Sequence, residues 1–272
     1  MNHKSLKNKQ LKIEVSIDGQ QYTKEQLDRF EYERTLHGLH ELKQLGATVL
    51  DGEKELSHLD INWLEPEKAK DISFEVRRKL GENGTLALFN EVLKNSDKKW
   101  KEYNKIPIYE QGVWISQTDY KITGFTIQER AAHTTTEDDG IKLSGLTVMP
   151  EHYIVKGTVS KGQEGMETFG MFGEPTYVRG ELSGIPSYVP VKRDEEYPIC
   201  QAADLQLHSD GTPIHVGAIH QFKPIENGFL IRSHFFCPKN APKSIADGHK
   251  IHFAIEMCND IRVAFNKTNS NN

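Results

Sequence analysis

Cysteine is scarce in this chain. Cys200, Cys237 and Cys258 are the three in 272 residues, and no two are spaced Cys-x-x-Cys. An odd, dispersed set builds no disulfide framework and argues against a thiolate zinc site. It fits a reducing compartment, so a cytoplasmic location is the expectation. Long hydrophobic runs are missing as well. No stretch approaches the roughly 18 apolar residues of a membrane span. The lysine-rich start, Met1 to Lys12, lacks the apolar centre of a secretory signal and reads as a solvated arm. Nor is there an excess of positive charge. The net charge is -5 and the pI about 6.2, which excludes the basic face of a general nucleic-acid binder. The polar end, Asn266 to Asn272, adds no structural signal.

What remains is an ordinary globular composition, 36% hydrophobic and 27% charged. A chain this long buries enough surface to fold without a structural metal, so any metal is expected to be catalytic. The first hundred residues carry helix signals. Thr23-Lys24-Glu25-Gln26 has capping-box form, Leu27, Phe30, Leu39 and Leu42 follow at helical spacing, and Gly46 ends the run. Ser73 to Leu80 and Thr85 to Leu93 predict further helices. From about Ile106 short β-like segments alternate with turn residues: Gly112–Gln117, Thr123–Ala132, Ile141–Val148, His152–Ser160, Thr176–Glu181, Pro213–Lys223 and Gly228–Phe236. Asn227-Gly228 predicts a hairpin between the last two. Ser244 to about Phe265 predicts one long amphipathic helix. The fold class is therefore α+β: an N-terminal helical extension over 1–105, then an antiparallel sheet with a long C-terminal helix over 106–272, as one continuous domain.

On that last helix His252 and Glu256 stand four residues apart, so they stack one turn apart at the edge of the apolar face. An imidazole and a carboxylate so placed suit one divalent ion, though the spacing alone equally describes a surface ion pair.

Three segments carry more information when read in order. They are Ile219-His220-Gln221-Phe222-Lys223-Pro224, then Asn227-Gly228-Phe229-Leu230-Ile231-Arg232-Ser233-His234-Phe235-Phe236, then His252-Phe253-Ala254-Ile255-Glu256-Met257. Together they resemble the diacetylphloroglucinol hydrolase and phloretin hydrolase family, which cleaves the carbon–carbon bond between an acyl group and a polyhydroxylated ring. The resemblance is close over 217–257, loose over 124–170, and absent before Ile106. It implies a helix-grip fold, a curved antiparallel sheet around the C-terminal helix. It implies a metal held by two histidines and two glutamates, with zinc as the expected ion, acting as Lewis acid and activating water. His252 and Glu256 supply half of that set. His133, before the acidic Glu137-Asp138-Asp139-Gly140, is the candidate second histidine, and Met149-Pro150-Glu151-His152 matches a Pro-x-x-His segment one residue short. The second glutamate is Glu167 or Glu164, with Glu167-Thr168-Phe169-Gly170 the better fit.

By the same resemblance His220 touches substrate and passes a proton. His215 lies an odd number of residues away, on the other face of an unbroken strand, while Arg232 reads as half of a structural ion pair. Some positions depart from the family. Ala132 replaces a tryptophan and His234 an arginine, and Phe125 and Phe235 stand where a tyrosine would hold a substrate phenol. Thr136 is placed to return a hydroxyl. The expected partner is a small aromatic substrate, with no nucleic acid and no membrane; a homo-oligomer is left open. The rival readings are a metal-free carrier of aromatic molecules and a metal hydrolase acting on other ketones or esters.

Overall fold

The computed structural model describes residues 10–132, 142–158 and 162–270. Its chain starts with a hairpin. β1 (Lys12–Ile17) and β2 (Gln20–Tyr22) are joined by Asp18-Gly19, both at positive φ, the two-residue turn that suits the twist of paired strands. Thr23 then caps α1 (Lys24–Gln44) through the expected capping box with Gln26. A small hairpin, β3 (Leu50–Asp51) and β4 (Lys54–Glu55), leads to α2 (His58–Asn62), α3 (Pro66–Leu88, broken at Gly81), α4 (Asn90–Tyr103) and α5 (Ile108–Gln111). β5 (Val113–Thr123), α6 (Ile127–Ala131) and α7 (Leu143–Val148) follow. The rest of the sheet is β6 (His152–Thr158), β7 (Gly162–Thr168), β8 (Pro175–Gly180), β9 (Leu182–Ser183), β10 (Ile199–Leu207), β11 (Pro213–Ile225) and β12 (Gly228–Pro238). α8 (Lys243–Ser270) closes the chain.

The fold is thus a mixed one, an antiparallel sheet with helices and a long C-terminal helix. Among the described residues the large sheet runs β2-β1-β5-β12-β11-β10-β8-β7-β6, with β9 added on β10. Every neighbouring pair is antiparallel. α8 packs against β5, β12 and β1. One side of the helix joins Val15, Ile122 and Ile231 in a core through Ala254, Cys258 and Ile261. Ala246 and Phe253 join a second core with Phe169, Val216 and Phe235. The N-terminal helices bury a third core against β6–β8.

Several expectations need correction. The first 105 residues are not only helical, because β1 and β2 belong to the main sheet. Residues 123–132 are not a strand. β5 stops at Gly124, where φ is +81 and a Cβ would strike the Gln10 carbonyl, and Thr126 and Glu129 then form a capping box that starts α6. The segment 141–148 holds a helix over Leu143–Val148, packed on α8. The expected hairpin of β11 and β12 forms, but its turn residues are Glu226 and Asn227 rather than Asn227-Gly228, because Gly228 already pairs with Ile225. Arg232 does pair with Asp119 and Asp194.

Two arginines are sunk in the interior. Arg34 of α1 is fully buried and pairs with Glu151, also fully buried. The same guanidinium donates to the Gly170 carbonyl at 2.9 Å and the Gly248 carbonyl at 3.0 Å. Burial lowers its pKa to about 9, which leaves it charged at neutral pH. Arg77 of α3 donates to the carbonyls of Met149 (3.0 Å) and His152 (2.6 Å). Breaking a buried pair by removing one partner strands the other charge. Arg34→Met is expected to cost about 3–5 kcal/mol, read by urea denaturation, and adding Glu151→Leu should recover much of that loss. A cost below about 1 kcal/mol for the single variant would show the pair to be dispensable.

Candidate metal centre

β6 begins at His152 and β7 runs back beside it, with His152 directly opposite Glu167. Opposed residues on neighbouring strands share a face. His152 Nε2 accordingly lies 3.0 Å from Glu167 Oε2. α8 crosses this pair and lowers His252 onto it. His252 Nε2 is 3.0 Å from His152 Nε2 and 3.6 Å from Glu167 Oε2. Glu256, one turn on, places Oε2 3.9 Å from His252 Nε2. The three donor atoms of His152, Glu167 and His252 lie within 4.8 Å of one another, so this buried cluster could hold a metal ion.

The tautomers agree with that. His152 Nδ1 faces the Gly145 carbonyl at 3.0 Å, which can only accept, so neutral His152 keeps its proton there and turns a lone pair inward from Nε2. His252 is wholly buried, and its Nδ1 has no hydrogen-bond partner among the described residues. Burial above all, with the repulsion that His249, His152 and Arg34 would add, pushes its pKa well below the ordinary histidine value, so it is neutral. Burial also opposes charge on His152, but the hydrogen bond to Glu167 and the charges of Glu256 and Glu167 raise its pKa overall. Burial, with Glu167 and Asp260 nearby, raises the Glu256 carboxyl to about 7. His152, Glu167 and His252 together form a donor set that could hold a divalent ion, with Glu256 one helical turn from His252 beside them.

The cluster opens on a cavity of about 310 Å³ between α8 and the sheet. His220 and Phe235, both expected at the site, line it. His220 Nδ1 is 2.8 Å from Ser233 Oγ, and its ring packs on Phe253 with centroids 5.1 Å apart. Burial lowers its pKa to about 4, with Arg130 and His234 adding to the effect, so the ring is neutral at physiological pH. Phe235 lies against the ring of His249, centroids 4.0 Å apart.

Other expected residues fall elsewhere. Phe125 does not line the cavity. It follows the turn at Gly124 and packs in the core against Phe265, 1% exposed. Glu164 has the opposite parity to Glu167 on β7 and points away, accepting from Tyr177 and facing Lys156 and His208. His215 sits at φ +53 beside Tyr188 and Asp204, and His234 is opposite Ile219, on the face away from His220. His133 and Thr136 lie outside the described residues. Among the described residues, the histidine that meets Glu167 and His252 is His152. The signal for it was present in Met149-Pro150-Glu151-His152, but chain order alone could not show that it opposes Glu167. His249 and Arg130, which also line the cavity, were not anticipated. No protein-family model matches the chain, and no curated protein matches it. No helix among the described residues is long and apolar enough to cross a membrane.

Two outcomes follow for the centre. Wild-type protein dialysed against zinc should retain about one equivalent by elemental analysis, and His252→Ala and Glu167→Gln should retain almost none. Unchanged zinc content in both variants would show that the cluster is not the binding site. The second concerns pH. A carboxyl raised from 4.5 to about 7 binds its proton more tightly in the folded chain than in the unfolded one. Its contribution to metal-free stability therefore declines as pH rises across that window. The stability difference between wild type and Glu256→Gln, both in chelator, should shift against the wild type between these two values, and excess zinc should cancel the shift. A pH-independent difference would mean that Glu256 titrates normally.

Proposed function

We propose that the chain is a metal-dependent hydrolase of the helix-grip type that cleaves the carbon–carbon bond between an acyl group and a hydroxylated aromatic ring. The carrying observation is that the His152–Glu167 strand pair and His252 of α8 converge at the wall of an aromatic-lined cavity. The ordered likeness of residues 217–257 to the phloretin and diacetylphloroglucinol hydrolases supplies the reaction class. His152, Glu167, His252 and Glu256 are the residues that would hold the ion. When bound, a divalent ion supplies Lewis acidity toward an acyl carbonyl and toward water.

The protein's own groups have separable tasks. Phe235, His249 and Phe253 are the flat walls against which a substrate ring would lie. His220 faces the same space as a neutral imidazole, with Ser233 fixing its orientation through Nδ1. In this reading it would take a proton from a ring hydroxyl and return one to the ring carbon that loses the acyl group. The balance is that of a hydrolysis. The carbon–carbon bond breaks, the hydroxyl of water joins the acyl carbon, and a proton joins the ring carbon, giving a carboxylic acid and a phenol.

Zinc-loaded protein is expected to convert phloretin to phloroglucinol and the arylpropionic acid, followed by liquid chromatography. Chelation should abolish turnover, and His220→Asn should lower kcat by about 10²–10⁴ with zinc content unchanged. Binding of phloretin without turnover at stoichiometric zinc would favour the carrier reading, and turnover of aryl esters alone would favour a different hydrolase.

A further inference from the structure

One wall of the cavity follows a single strand. On β7 the alternate residues Gln163, Gly165 and Glu167 all line it, whereas Met166 lies in the core behind. Four residues of strand span about 13 Å, so the backbone row runs that far along β7 from Glu167 to Gln163. Gly165 stands at its midpoint. Its direct neighbours across the sheet are Val155 on β6 and Val178 on β8, and both line the cavity too. Opposed residues share a face, so this row reads valine, nothing, valine: a slot one side chain wide. A Cβ at Gly165 would meet only the Ile154 carbonyl, at 4.0 Å, and its φ is not positive. Neither backbone conformation nor crowding requires glycine here. What the missing side chain leaves is space inside the cavity.

We propose that this slot receives the acyl arm of the substrate and selects acylphenols whose arm is long and apolar, ending in a neutral hydrogen-bonding group. Gly165 determines the choice, and the inference rests on the hydrolase reading above. The valines on either side provide the apolar walls. Gln163, at the far end, offers an amide able to donate and accept, which suits a hydroxyl. Among the described residues the only lysine or arginine lining the cavity is Arg130, and it is engaged with Asp260 of α8.

The test compares two substrates that share the phloroglucinol ring: phloretin, with a hydroxyphenylpropanoyl arm, and acetylphloroglucinol, with a methyl. Both are offered to zinc-loaded wild type, Gly165→Ala and Gly165→Leu. Pocket-filling changes of this size alter kcat/KM by about 10–200-fold. Gly165→Leu should lose that much on phloretin and no more than about threefold on acetylphloroglucinol, with Gly165→Ala between it and wild type. Equal losses on both substrates, or no loss on phloretin, overturn the proposal. Should Gly165→Leu fail to fold by circular dichroism, the graded loss in Gly165→Ala decides. If wild type turns over neither substrate, the hydrolase reading fails, and calorimetric binding of phloretin then judges the slot alone. Binding weakened at least about tenfold by Gly165→Leu upholds the slot, and unchanged or absent binding overturns it.

Discussion

The buried Arg34–Glu151 pair governs the geometry of everything around the cluster. Glu151 immediately precedes His152, Gly170 follows Glu167 by three residues, and Gly248 lies one helical turn before His252. One guanidinium bonds all three segments. Each ligand-bearing segment comes from a different element, and none contacts the others through regular secondary structure except the β6–β7 pair. A charge held at zero exposure must find partners, since the alternative is a desolvated, unpaired ion. That requirement pulls the end of β7 against α8 so closely that a Cβ at Gly248 would lie 2.6 Å from the Met171 nitrogen. Arg77 repeats the device on the other side, fixing the Met149–His152 turn by two carbonyls. The helical first third of the chain is therefore not an appendage. It supplies the charges that set the ligand spacing.

Electrostatics in the cluster follow from the same burial. Two imidazoles with nitrogens 3.0 Å apart cannot both be charged. Burial is the main cause of both the raised Glu256 carboxyl and the depressed His252 imidazole, and neighbouring like charges add to each shift. A divalent ion held there would relieve both at once. The cavity beside it joins this polar centre to a wall of aromatic rings.

Much of the architecture was legible in the sequence. The capping box at Thr23, the long helix carrying His252 and Glu256, and the strands after Pro213 were all read from local pattern. Two signals of the same kind went unread: Asp18-Gly19 within the alternating Lys12–Tyr22 segment, and the capping box Thr126-Ile127-Gln128-Glu129. The alternation of Ile141–Val148 misled, because a six-residue helix is too short for its periodicity to stand out. In the site, parity along β7 separates Glu167 from Glu164, but only once it is known which face is inward.

The sequence by itself determined the donors that one element can present, His252 and Glu256 on a single helix face, together with the histidine and aromatic strand before them. Helical spacing and strand alternation are local properties and need no tertiary knowledge. The pairing of His152 with Glu167, the withdrawal of Phe125 into the core and the empty place at Gly165 were decided only by the tertiary structure. Each depends on strand register and on how α8 crosses the sheet, which long-range packing and the buried arginines set and no local pattern encodes.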